Sequence, residues 1–224
     1  MVQPELLDTL PPGDPRAVRS RRDLRRVNTW MGHHAIMARA LENSCGGFIP
    51  HKITELGAGD GSFLLSVAQK ISPRWLKLNV TLLDLQNNVS TGMLATFAGI
   101  GWRAETLVTD VFNWRQTDSE IVIANLFLHH FEGTRLAELL RLVARRARMF
   151  VAIEPRRAAW PLFCSRLLWA IGCGKVTRHD AVISVRAGFS GNELSDLWPD
   201  KNNWELTEQP AGAFSHLFIA RKLD

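Results

Sequence analysis

From residue 51 onward, short apolar runs alternate with longer amphipathic ones, and this alternation constrains the fold more than any other feature. Candidate strands lie at 51–56 (HKITEL), 78–84 (LNVTLLD), 104–109 (AETLVT), 120–126 (EIVIANL) and 148–153 (RMFVAI). Helical patterns fill 61–71, 88–98 and 133–146, the last with Leu136, Leu139, Leu140 and Val143 on one side. Strands separated by helices pair in parallel and bury both faces of their sheet. Right-handed crossovers then make the arrangement doubly wound. After residue 158 the pattern changes. An apolar helix over 161–171 precedes Gly172 and Gly174, a further helix opens near Thr177, and Ser190-Gly-Asn-Glu193 is a capping box for a short helix closed by Pro199. Two last strands, 203–208 and 214–221, joined by 209–213, read as an antiparallel pair. The expectation is a seven-stranded α/β sheet whose last strand is antiparallel.

Residues 1–15 contain too many prolines to be more than an extended arm. A helix follows, started at Ser20-x-x-Asp23 or at Asp14 before Pro15. It carries Leu24, Val27, Met31, Ala35, Ala38 and Leu41 on one face and ends at Cys45-Gly46-Gly47. We therefore expect residues 1–43 to form an arm and a lid helix, and 44–224 the main domain with a helical insertion over about 158–198.

At 46% hydrophobic and 22% charged, the 224 residues are neither fibrous nor disordered. The longest apolar stretch, 160–173, contains Arg166 and is too short to span a bilayer. Three cysteines, Cys45, Cys164 and Cys173, suggest neither a disulfide framework nor a zinc site, so no metal is expected and the location expected is cytoplasmic. Basic residues exceed acidic ones by 27 to 22, giving +5, with the excess in 16–26 and 135–157. That charge permits contact with nucleic acid or a membrane surface without naming either.

The sharpest motif is Glu55-Leu56-Gly57-Ala58-Gly59-Asp60-Gly61-Ser62, between the first strand and a helix. Alternate glycines let a ligand approach the backbone. A dinucleotide fingerprint would place its last glycine where Ser62 stands, and Glu55 would repel a pyrophosphate. A ligand with a positive centre is favoured instead. The second strand ends at Asp84-Leu85, placed to accept from both hydroxyls of a ribose, and the third at Asp110-Val111-Phe112, suited to an adenine.

On these residues the chain resembles the class I S-adenosylmethionine-dependent methyltransferases, over roughly residues 50 to 221. Glu55, Gly57, Ala58, Gly59 and Gly61 match the methionine-binding loop, Asp84 and Leu85 the ribose site, Asp110 and Val111 the adenine segment, and Asn125 lies in the matching fourth strand. The resemblance implies a Rossmann-like doubly wound sheet, S-adenosylmethionine as donor and S-adenosylhomocysteine as product. It is similar to the small bacterial enzymes that tailor ubiquinone and polyketides.

Leu128-His129-His130-Phe131 follows the fourth strand, where the donor's methyl would point. An oxygen acceptor needs a base, and histidine suits neutral pH. His129 falls on the base position of the phenolic O-methyltransferases, with His130 in reserve. Substrate contacts are expected from Trp30, Met31 and His34 on the lid, and from Phe131 and Trp160. The Asn/Asp-Pro-Pro-Tyr sequence of amino-methylating enzymes is absent, as is a cysteine in a proline context. No nucleic-acid partner is therefore expected, and the chain should be a monomer or homodimer. The expected function is methyl transfer to a small, phenolic or polyketide-derived acceptor, at oxygen. The alternatives are carbon or nitrogen methylation of a quinone-like molecule, RNA methylation, or a binding protein without turnover.

Overall fold

The computed structural model describes residues 4–11, 13–45, 48–71, 74–115 and 119–223. The strands are β1 (Lys52–Leu56), β2 (Asn79–Asp84), β3 (Arg103–Val108), β4 (Ser119–Asn125), β5 (Ala147–Pro155), β6 (Trp204–Ala211) and β7 (Ser215–Lys222). They form one sheet in the order β3-β2-β1-β4-β5-β7-β6, with β1 to β5 mutually parallel and β7 antiparallel to both its neighbours. Gly212, at φ 70°, lies just after β6 in the turn to β7. The order reverses between β1 and β4, which opens a crevice beyond their carboxyl ends.

Among the described residues three helices precede the sheet: α1 (Leu6–Thr9), α2 (Pro15–Trp30) and α3 (His33–Ser44). The single lid helix expected here is therefore two. Gly32 adopts φ 71°, a left-handed conformation that interrupts the helix and that a side chain would resist. Asp14, not Ser20, starts α2, its carboxylate accepting from Arg16 N at 2.8 Å. Ser20 and Asp23 are buried within the helix. Asp23 accepts instead from Gly174 N at 2.8 Å and Thr177 Oγ1 at 3.2 Å, groups 151 and 154 residues away. The expected end of α3 at Gly46-Gly47 lies outside the described residues.

Among the described residues six more helices follow: α4 (Ser62–Ile71), α5 (Thr91–Gly99), α6 (Gly133–Arg146), α7 (Ala159–Arg166), α8 (Lys175–Ala187) and α9 (Glu193–Leu197). The helix expected over 161–171 is shorter. It ends at Arg166, and a 3-10 turn continues from Leu168 to Ile171 until Gly172 stops it at φ 78°. Glu193 reaches back to Ser190 N as a capping box predicts, but the first-turn N–H groups of Leu194 and Ser195 donate to the carboxylate of Glu208 on β6.

Helices cover both faces of the sheet, so the central strands β4 and β5 are buried almost continuously. Ile121 and Ile123 of β4, with Met149, Val151 and Ile153 of β5, belong to one core cluster with residues of α3, α4 and α5. Val122, Ala124, Phe150 and Ala152 pack under α6 and α9. The buried side of α3 is Met37, Ala38, Ala40 and Leu41. Truncating one such side chain to alanine costs roughly 2–5 kcal/mol. Thus α3 belongs to the core, and only α2 and the arm stand over the crevice.

Candidate active site

A cavity of about 490 Å³ occupies the crevice. Its floor is the loop after β1, which β2 holds in place. Ala58 N donates to Leu83 O at 3.0 Å, and Gly59 N to Asp84 Oδ2 at 2.9 Å. Gly57, Gly59 and Gly61 all have positive φ. A Cβ on Gly57 would strike the Phe127 ring, and one on Gly61 would crowd Leu82, whereas one on Gly59 would meet open space within the cavity wall. The glycines at 57 and 61 serve packing, and Gly59 gives a ligand access to backbone.

Glu55 is buried, and its Oε2 has no partner. Burial, reinforced by the carboxylates of Asp60 and Asp84, pushes its pKa well above the ordinary value. A cationic group in the cavity would relieve that cost. Asp84 Oδ1 accepts from Gln86 N at 2.9 Å, and Asp110 Oδ1 from Phe112 N at 2.9 Å. Each strand-end acid thus orders its own turn as well as facing the cavity.

The opposite wall comes from the turn after β4. Leu126 sits at φ 54°, costly for a leucine, and turns Phe127, Leu128 and His129 toward Glu154 at the end of β5. The N–H groups of Phe127 and Leu128 donate to Glu154 Oε1 at 3.0 and 2.8 Å. His129 Nδ1 donates to Glu154 Oε2 at 2.7 Å. On its other side, His129 Nε2 lies 3.3 Å from Glu5 Oε1 in the arm. With both carboxyl groups ionised, each accepts only, and both ring nitrogens then donate. Burial alone would lower the His129 pKa, but the bonds to Glu154 and Glu5 outweigh it and raise the value to about 9.

Glu5 is held in place by α8. Asp180, buried, accepts from Leu6 N at 2.8 Å and Leu7 N at 3.0 Å, and Ser184 Oγ donates to Glu5. Further along, Arg25 of α2 pairs with Asp60 of the glycine loop at 2.5 Å. Phe127, Phe131 and Phe112 make an aromatic wall, with Phe131 meeting both others edge-on and Arg135 lying 3.5 Å over the Phe112 ring.

Glu55, Gly57, Ala58, Gly59, Asp84, Leu85, Asp110, Val111, Asn125, His129, His130 and Phe131 all line this cavity. Gly61 does not, because it turns inward against Leu82 and Met93. Trp30, Met31, His34 and Trp160, expected at the acceptor, are also not among the lining residues. The break at Gly32 diverts α3 onto the core, while Trp30 and Trp160 lie exposed. From α2 the lining residues are Arg21, Leu24, Arg25 and Asn28. His33, not His34, reaches the strand ends. It bonds to Asn125 Oδ1 at 2.9 Å and Ser215 Oγ at 2.7 Å, and burial lowers its pKa to about 4.

Sequence reasoning missed Glu154, Glu5 and Ser184. For Glu154 a signal existed: it ends an apolar strand, as Asp84 and Asp110 do. For Glu5 none did.

No family model and no curated protein matches the chain. Solved structures do. The plantazolicin methyltransferase BpumL, in complex with SAH, shares 13% identity over 94% of this chain and 91% of its own, with a TM-score of 0.66. An O-methyltransferase family protein from Burkholderia thailandensis shares 16% over 95% of this chain and 61% of its own, at 0.64. The mitomycin 7-O-methyltransferase MmcR shares 18% over 96% and 60%, also at 0.64. The chain thus has the class I methyltransferase fold, and it spans about three fifths of the length of the last two proteins.

Proposed function

We propose that the protein transfers a methyl group from S-adenosylmethionine to the hydroxyl of a small, phenolic or polyketide-derived acceptor, with His129 as the base. The observation that carries this reading is His129 itself. Glu154 holds its Nδ1 proton and Glu5 lies on its Nε2, and both His129 and Glu5 line the cavity with the acids Asp84 and Asp110.

The residues suit the donor. Its positive methionine end would supply the partner that Glu55 Oε2 lacks, and Gly59 leaves room for it at the backbone. Asp84 and Leu85 stand where a ribose would lie, and Asp110 and Val111 beside the adenine. Bound there, the donor supplies a methyl group on a sulfonium leaving group, so the protein has mainly to align an acceptor and exclude water. Arg25 on Asp60 closes α2 over the glycine loop, and the phenylalanine wall offers an apolar bed for an aromatic ring.

His129 is an imidazolium while Glu5 occupies Nε2. If the Nε2 proton leaves with Glu5 as its carboxylic acid, Nε2 is left with a lone pair and Nδ1 keeps its proton on Glu154, which is the tautomer a base requires. The acceptor's hydroxyl proton then passes to Nε2 as its oxygen takes the methyl group. The structural neighbours named for plantazolicin and mitomycin agree with a small natural-product acceptor. The test is incubation of the pure protein with labelled donor and a panel of phenols, quinols and tRNA. Label on a phenolic oxygen supports the reading. Label only on tRNA, carbon or nitrogen overturns it.

A further inference from the structure

Two features stand outside the cavity. One is the apolar face of α7. Trp160, Phe163 and Leu167 follow one another at helical spacing, exposed by 57, 53 and 40%, and Trp169 in the 3-10 turn is exposed by 60%. The opposite side of α7, Pro161 and Ser165, is buried, and α7 packs on α8. A helix with one side already in the core has no structural use for a second apolar side.

The other feature is the arginine row of α2, which is fastened to the end of the same segment. Arg19 Nη2 donates to Gly172 O at 3.1 Å and Arg26 Nη2 to Ile171 O at 3.5 Å, while both side chains stay more than half exposed. The charge is concentrated here. Residues 15–30 and 155–179 hold eleven of the chain's 27 basic residues and one of its 22 acids, a net +10 against −5 for the rest. The one acid, Asp23, is buried. Arg16, Arg25 and Arg157 pair with acids from outside these stretches. Arg22, Arg166 and Lys175 are exposed.

We propose that α7, its 3-10 extension and the arginine row of α2 form a docking surface for an anionic lipid membrane. Tryptophan, phenylalanine and leucine enter the boundary between headgroup and acyl chain, and arginines beside them meet lipid phosphates. Charge complementarity selects the anionic membrane. Single-stranded nucleic acid fits less well, because it stacks its bases on free aromatic faces. Trp160 and Phe163 stack on each other with ring centroids 5.9 Å apart. The surface borders the cavity, since α2 carries Arg21, Leu24, Arg25 and Asn28 into it. A membrane-dissolved acceptor would thus be near the entrance, although the docking itself does not depend on methyl transfer.

The experiment is co-sedimentation of the full chain with vesicles of phosphatidylcholine, with or without phosphatidylglycerol, at low and high salt. Binding should require phosphatidylglycerol and weaken with salt. Trp160→Ser with Phe163→Ser should weaken it at least tenfold. Arg22→Gln with Arg166→Gln should cost roughly fivefold per charge removed, the weight of one basic residue near an anionic surface. Circular dichroism and thermal melting check that each variant folds, and Trp160→Ser alone replaces the double variant if that one does not. Failure to sediment with phosphatidylglycerol vesicles overturns the proposal. So does binding untouched by both sets of variants, tighter binding to tRNA than to vesicles, or a dimer in gel filtration that Trp160→Ser dissociates.

Discussion

Nε2 of His129 lies 3.3 Å from Oε1 of Glu5, a residue 124 positions earlier in the chain. The arm thereby sets the protonation of the ring proposed as base. On the proposed role of His129, an acceptor hydroxyl would have to displace Glu5 from Nε2, so that binding the acceptor would also free the base.

Glu5→Gln removes one of the two carboxylates that raise the His129 pKa to about 9. The pKa should fall, and the rise of activity with pH should move to lower pH. Titration of the imidazole by NMR and a pH–rate profile check both. An unmoved profile would mean that Glu5 does not govern the base.

His129→Ala should lower turnover on a phenol by about 10²–10⁴-fold, the scale of general-base catalysis, while donor affinity holds. If His130→Ala does this instead, the roles are exchanged. Calorimetry for the donor, run beside turnover, separates binding from chemistry.

Asp84→Ala should weaken donor binding by roughly 1.5–3 kcal/mol, the worth of hydrogen bonds to a charged group. It also strips Gly59 N and Gln86 N of their acceptor, so the loop itself loosens. Unchanged affinity by titration calorimetry would mean that the ribose is held elsewhere.

The imidazolium of His129 also bears on stability. Its folded-state pKa is raised, so its contribution is full below the unfolded value near 6.5 and fades as pH climbs through about 9. Wild-type protein should lose melting temperature between pH 7 and 10, and His129→Gln should lose less over the same range. Parallel slopes in thermal melts would refute this.

Truncation separates the arm from the core. Removing residues 1–13 deletes Glu5 and α1, and should leave a folded chain with a lower His129 pKa. Removal of residues 1–43 also takes Met37, Ala38, Ala40 and Leu41 from the interior, and should unfold it. Circular dichroism of the two truncations tests the division.

Much of the architecture could be read from residue order because its causes are local. A buried parallel strand needs a continuous apolar run, as Ile121 to Ala124 shows, and a helix over it needs a stripe such as Leu136, Leu139, Leu140 and Val143. That Glu55, Asp84 and Asp110 would line one cavity was legible for the same reason. Glu55 and Asp84 stand at strand ends and Asp110 two residues past one, and parallel strands bring their carboxyl ends to one edge of the sheet, so linear position implies spatial position. No such rule governs long-range pairing. That Glu154 and Glu5 flank His129, that Asp180 ties down the arm, and that Asp23 caps α8 rather than α2 depend on how distant segments pack. The turn at Gly32 shows the same limit. An unbroken apolar stripe runs past it, but the stripe records only burial, and the core and the crevice bury residues equally well. Which of them received Met37 and which received Leu24 was decided by the direction the chain takes after one left-handed glycine.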